Sequence, residues 1–152
     1  MPNPLFHVSV PLRWSDMDAL RHVNNVQFLR LLEEARILAF NEWFDGSDEA
    51  HERPRLLIAR AEIDYLRQLH YRHEPICITT WVTRIAGASF DLGYEVRETP
   101  DSTEVFASAE TTQVAFDMDT QRPTRLSESA RTILQQYAGP PVALKRRPVD
   151  HT

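Results

Sequence analysis

Arg13-Trp14-Ser15-Asp16-Met17-Asp18-Ala19-Leu20-Arg21-His22-Val23-Asn24-Asn25 is the densest chemical stretch of the chain, with two carboxylates, one imidazole and two amides between Asp16 and Asn25. It joins the end of a predicted strand to the start of a predicted helix, and loops held by rigid elements are where sites usually lie. A carboxylate near a helix N-terminus meets positive potential and free N–H donors, which favour its ionised form. An ionised aspartate in a ligand cleft can attack a carbonyl or activate a water. The competing reading is that Asp16 and Asp18 only satisfy loop backbone groups, and spacing alone favours that reading for either one.

Other candidates are weaker. His70-Tyr71-Arg72-His73 has the spacing of a helical metal pair, but it falls in a predicted loop before a strand and no second Cys or His pair follows. No metal site is expected. There is no Gly-x-Ser-x-Gly elbow and no Gly-rich phosphate loop. The single cysteine, Cys77, sits in an apolar run and reads as a buried, inert thiol.

The elements that must position the loop follow from periodicity. His7 to Trp14 reads as a strand with Val8, Val10, Leu12 and Trp14 on one face, and Pro11 puts it at an edge or a bulge. The long helix runs from about Asn25 to Phe44, with Asn24 as cap and Gln27 as a capping-box partner. It is apolar around most of its circumference, with a narrow polar stripe through Gln27, Arg30, Glu34 and Asn41, so other structure should wrap it. It should stop at Gly46 and the polar run Ser47-Asp48-Glu49.

Four strands follow: Leu56 to Leu66, Pro75 to Ile85, Phe90 to Val96 and Val105 to Phe116. Ala86-Gly87-Ala88 and Thr99-Pro100-Asp101 read as turns between them. A short helix from about Glu128 to Tyr137 is capped by Ser127. The pattern is an α+β domain in which a four-strand antiparallel meander curves around one long helix. A second copy would cover the open edges and face of the sheet. Residues 1–140 read as one domain and 141–152 as a tail.

The net charge of −5 argues against a nucleic-acid binder. Basic clusters at Arg53, Arg55 and Arg60, at Arg67, His70, Arg72 and His73, and at Lys145 to Arg147 read first as solvated surface, with contact to ligand phosphates as the alternative. No apolar run approaches a membrane span, and the N-terminus shows no basic region followed by an apolar stretch, so neither a span nor a secretory leader is expected. One unpaired cysteine fits a reducing cytoplasmic compartment.

Asp-x-Asp-x-x-x-His-Val-Asn-Asn from Asp16 to Asn25, followed by Phe28-Leu29-Arg30-Leu31-Leu32-Glu33-Glu34-Ala35-Arg36, resembles the 4-hydroxybenzoyl-CoA thioesterase family in its long-chain acyl-CoA thioesterase-like branch. The resemblance covers roughly Val8 to Phe116. It implies the hotdog fold, which matches the architecture read from pattern, and hydrolysis of a fatty or aromatic acyl-CoA, with coenzyme A as part of the substrate and no other cofactor. It implies Asp18 as the catalytic carboxylate, acting as nucleophile or general base, and a structural role for Asp16. His22, Asn24 and Asn25 match the motif positions beside the substrate. Positioning the loop is an equally good reading of His22, and helix capping is the stronger reading of the asparagines. Backbone N–H groups from Arg55 to Ile58, with Leu57 and Ile58 at the substrate, would form the oxyanion hole. The family builds homodimers and often homotetramers with shared sites. It usually carries glycine just before the histidine. Arg21 stands there instead, strained if that position needs positive φ, or turned outward or towards a phosphate. A non-catalytic binder of acyl thioesters and a hydroxyacyl thioester dehydratase are the alternatives; the latter normally pairs its aspartate with a histidine in a different loop pattern.

Overall fold

The computed structural model describes residues 4–44 and 54–147. The predicted helix stop at Gly46 to Glu49, Arg53, and the tail beyond Arg147 lie outside the described residues.

Strand β1 (Phe6–Val10) stops before Pro11 and pairs with β3 (Ile76–Ile85) at one edge of the sheet. Val8, Val10 and Leu12 point into the core as the alternation predicts. Trp14 does not. The chain leaves the strand at Pro11 and turns into a single 3-10 turn (Trp14–Asp16), which leaves the Trp14 ring 73% exposed.

Helix α1 (Asn25–Trp43) is capped by Asn24, whose Oδ1 accepts the Val26 N–H at 2.9 Å. Gln27 closes no capping box: its Oε1 accepts from Arg30 and Arg13 instead. Phe28, Leu31, Leu32, Ala35 and Ala39 lie one helical turn apart and bury against the sheet. The expectation that α1 is wrapped on most sides is met on one face only. Val26, Leu29, Ile37 and Leu38 stay between 46% and 71% exposed, because α1 packs over β1 and β3 and leaves its other flank open.

Strand β2 (Leu56–Tyr65), β3, β4 (Ser89–Arg97) and β5 (Val105–Asp117) are antiparallel, in the order β1-β3-β4-β5-β2. Only β3, β4 and β5 form a meander. The predicted four-strand meander fails at β2, which pairs with β5 at the far edge. The cause lies in the residues after β2. The amides of Leu66 and Arg67 both donate to the Phe106 carbonyl, so the chain stays tied to β5 and must then cross to β3. That crossing passes the loop before α1, where the Val23 N–H donates to the Leu69 carbonyl at 2.7 Å. It thereby supplies the second wall of the site.

A short strand β6 (Arg122–Pro123) pairs with β5, and α2 (Glu128–Gln135) is capped by the Ser127 hydroxyl. The chain then straps the outer face of the sheet. Ala138 bridges Val82, the Trp81 indole donates to the Pro140 carbonyl, and Val142 and Leu144 pack on Trp81 in a small separate core. Arg147 closes the strap on Glu110, which is 3% exposed and also meets Arg60 and Thr83. Burial alone would raise the Glu110 pKa, but the Arg147 guanidinium, with the Thr83 hydroxyl and the Arg60 charge, reverses that and holds the carboxyl below its ordinary value. The Arg147 cation, read from sequence as solvated surface, is thus a half-buried anchor on a buried carboxylate.

Candidate active site

The loop between the 3-10 turn and α1 is a small hairpin. Met17 bridges Val23, the Asp18 N–H donates to the His22 carbonyl, and the Arg21 N–H donates back to the Asp18 carbonyl. Asp18 and His22 therefore close a three-residue loop whose last residue, Arg21, has φ of 64°. Such loops end on a left-handed residue, which is why glycine suits the position. A side chain there costs about 1–2 kcal/mol of backbone strain.

Asp16 fixes the base of this hairpin. It is fully buried, and its carboxylate accepts from the Arg13 amide (2.7 Å), the Arg13 guanidinium (3.1 Å) and Arg30 of α1 (2.6 Å). Its carbonyl accepts the Asn24 N–H, which ties the turn to the cap of α1. Burial would raise the Asp16 pKa; the Arg13 amide and guanidinium and the Arg30 charge reverse that and hold it below the ordinary value. All of Asp16 is committed to holding the loop.

Asp18 is placed differently. It is partly exposed, and its Oδ1 accepts the Leu20 N–H at 2.9 Å. Its Oδ2 has no hydrogen-bond or ion-pair partner among the described residues. The carboxylate lies short of the α1 N-terminus, whose side-chain cap is Asn24. A cavity of about 450 Å³ opens beside Asp18, where Leu20, Val23, Phe28, Leu66 and Leu69 share the lining with polar side chains in about equal measure. His22, Asn24 and Asn25 line the same cavity, so the structure brings these four sequence-predicted residues together. The His22 ring meets His70 edge-on at 5.0 Å.

Leu57 and Ile58 are not brought there. They lie near the start of β2, paired with Val114 and Gln113. Tyr65, at the other end of β2, is the strand's residue in the Asp18 cavity. Seven residue steps along the strand separate Ile58 from it, about 23 Å at 3.3 Å per step.

Tyr65 and Arg67 also line the cavity; from sequence Tyr65 is one of several aromatics that could line an acyl pocket, and Arg67 belongs to a basic cluster, neither singled out as a site residue. The Tyr65 hydroxyl donates to the Asn25 carbonyl at 3.2 Å, and its ring meets Phe28 edge-on at 5.3 Å. Burial pushes its pKa up, which keeps the donor protonated. Arg67 pairs with the exposed Glu104. Their signal was the end of β2, since strand ends feed sites, but only the crossing to β3 shows which end. Cys77 is buried, and burial raises its thiol pKa, as expected of an inert cysteine. Among the described residues, no group of three or more His, Cys, Asp or Glu side chains could hold a metal. No helix of the described residues is long and apolar enough to cross a membrane.

The model of the thioesterase-like superfamily matches residues 12–134, which spans the Asp18 hairpin, α1 and the whole meander. The chain belongs to this superfamily. The fold of this thioesterase-like protein is accordingly the hotdog, an antiparallel sheet carrying one long helix. Three solved structures show how closely. A predicted thioesterase from Bacillus stearothermophilus is 27% identical with a TM-score of 0.77, covering 90% of this chain and 98% of that one. A thioesterase from Thermus thermophilus, solved with coenzyme A and Zn, is 27% identical with a TM-score of 0.73, covering 92% and 98%. A probable thioesterase from Escherichia coli is 25% identical with a TM-score of 0.68, covering 89% and 98%. No curated protein sequence matches the chain.

Proposed function

We propose that this thioesterase-like protein hydrolyses the thioester of an acyl-CoA, with Asp18 as the catalytic carboxylate. The observation that carries the reading is the contrast between the two aspartates. Asp16 is buried under donors, whereas Asp18 keeps one carboxylate oxygen without a partner beside a cavity whose lining is partly apolar. The leucines and Phe28 of that lining suit a fatty or aromatic acyl group. Asp18 takes a proton from a water whose oxygen attacks the carbonyl, the C–S bond breaks and the departing thiolate takes that proton; or Asp18 itself attacks, expels the thiolate and forms a mixed anhydride, which a water then hydrolyses, freeing the acid and Asp18 while its proton goes to the thiolate. The coenzyme A bound to the Thermus thermophilus thioesterase supports coenzyme A as carrier here. We place the reaction in the cytoplasm.

The oxyanion hole requires a second copy. One chain holds Leu57 and Ile58 far from Asp18, and the outer edge of β2 is the end of the sheet. Antiparallel pairing of two β2 strands about a two-fold axis at the strand's middle sets Leu56 opposite the partner's Tyr65 and Ile58 opposite the partner's Ile63. The Arg55 to Ile58 segment of one protomer then approaches the Asp18 cavity of the other. The same pairing ends the edge and approaches the open flank of α1. A homodimer is therefore the smallest active unit, and two such dimers would make a homotetramer.

Thiol release from a panel of acyl-CoAs, from acetyl to palmitoyl with benzoyl and phenylacetyl added, tests the reading. Turnover of at least one member is expected and names the acyl class. Binding without turnover across the panel would point to a non-catalytic acyl-thioester binder and overturn the hydrolase.

A further inference from the structure

A second cavity, of about 360 Å³, lies beside Asp18 and is lined by Trp14, Met17, Asp18 and Arg21. Asp18 is the one residue this cavity shares with the first. A thioester spanning both would carry its acyl group in the first and its carrier in the second, with the reacting carbonyl at their junction.

The second cavity sets an indole beside a guanidinium. Trp14 is 73% exposed, and an edge-on contact with Tyr71 at 5.5 Å holds its ring in place. Arg21 is exposed, and its side chain has no hydrogen-bond or ion-pair partner among the described residues. Neighbouring arginines are neutralised: Arg13 and Arg30 by Asp16, Arg67 by Glu104, Arg72 by Glu98. The Arg21 backbone is pinned from both sides, its N–H on the Asp18 carbonyl and its carbonyl against His70 Nδ1 at 3.4 Å. A long cationic side chain therefore stands, in a left-handed conformation, next to an open indole on a chain of net charge −5. An indole face stacks purines, and a guanidinium matches phosphate oxygens in bidentate geometry.

We propose that this second cavity seats the nucleotide of coenzyme A, with Trp14 on the adenine ring and Arg21 on the phosphates. The inference rests on the acyl-CoA reading above and deepens it. These two residues select acyl-CoA over the same acyl group on a carrier without a nucleotide.

The test compares wild type, Arg21→Gly and Trp14→Leu on two thioesters of one acyl group, acyl-CoA and acyl-pantetheine. Arg21→Gly relaxes the hairpin, so loss of fold does not cloud the result; thermal melts and sedimentation of both variants check fold and assembly. In each variant the ratio of kcat/KM for acyl-CoA to that for acyl-pantetheine is expected to fall about tenfold or more, through KM for acyl-CoA. An unchanged ratio overturns the proposal, as does a variant that no longer assembles, which would make the cavity a contact between copies. A second arm needs no turnover: adenosine 3′,5′-bisphosphate titrated against wild type and Arg21→Gly. Wild-type binding that weakens about tenfold in the variant supports the proposal even if no thioester is hydrolysed, in which case the hydrolase reading fails alone. No binding to wild type overturns the nucleotide seat while leaving hydrolysis to stand or fall on its own.

Discussion

Replacing Asp16 with asparagine isolates the charge that holds the Asp18 hairpin. The change keeps the shape of a side chain that is fully buried and removes the carboxylate that joins Arg13, Arg30 and the start of α1. Breaking a buried ion pair by removing one partner costs about 3–5 kcal/mol. That figure is too large here, because the Arg13 side chain is 54% exposed and turns to water, and Arg30 keeps Glu34 and Gln27. Lost charged hydrogen bonds to partly wet donors suggest about 2–3 kcal/mol instead. For a domain of this size each kcal/mol lowers Tm by about 2–4 °C, so the variant should melt roughly 4–12 °C lower. The sign with pH follows from the lowered Asp16 pKa. Its stabilisation is present above the unfolded-state value near 4 and is lost as pH falls through the lower folded-state value. Urea denaturation of both proteins at matched concentration, from pH 7 downward, should show a gap that narrows below about pH 4. Equal stability at pH 7, or a gap that does not shrink in acid, would refute the clamp.

Gly93→Ala should loosen the C-terminal strap, since a Cβ there would lie 2.5 Å from Val142 and 3.0 Å from Trp81 and Thr83. The expected cost is about 1–3 kcal/mol, with faster proteolysis after Gly139; a tail as protected as in wild type would count against the strap. Arg21→Gly should raise stability by about 1 kcal/mol by relieving the left-handed residue, read as a higher denaturation midpoint. Ile58→Lys changes a side chain that is 46% exposed in the single chain, so the monomer tolerates it, but a charge at a strand-pair interface does not pair. Sedimentation should show monomers, and thiol release should fall with them; an active dimer would exclude pairing through β2.

The sequence made the local elements readable because their signals are local. The alternation from Phe90 to Val96 gave β4, and Asn24 and Ser127 gave both helix caps. The loop was readable because Asp16, Asp18, His22, Asn24 and Asn25 are contiguous, and four of the five line one cavity. What failed was long-range. The position of β2 beside β5 depends on the Leu66 and Arg67 amides reaching Phe106, which no periodicity encodes. The strap was hidden because a proline-containing tail has no period, and its anchors, Trp81, Gly93 and Glu110, are scattered over three strands. Trp14 misled because it continues the alternation of β1 beyond Pro11, where the chain has already turned. The exposed flank of α1 was readable as apolar but not as uncovered, because periodicity reports hydropathy and not which neighbour packs on it.

The claim that Asp18 carries the chemistry is tested most directly by steady-state thiol release from the best acyl-CoA, measured on wild type and Asp18→Asn side by side. Asparagine keeps the acceptor for the Leu20 N–H and the shape of the hairpin, so melting temperature and assembly should match wild type. The account predicts that kcat falls about 10²–10⁴-fold. A variant that keeps its fold, its assembly and its full kcat would contradict it and move the chemistry to another group.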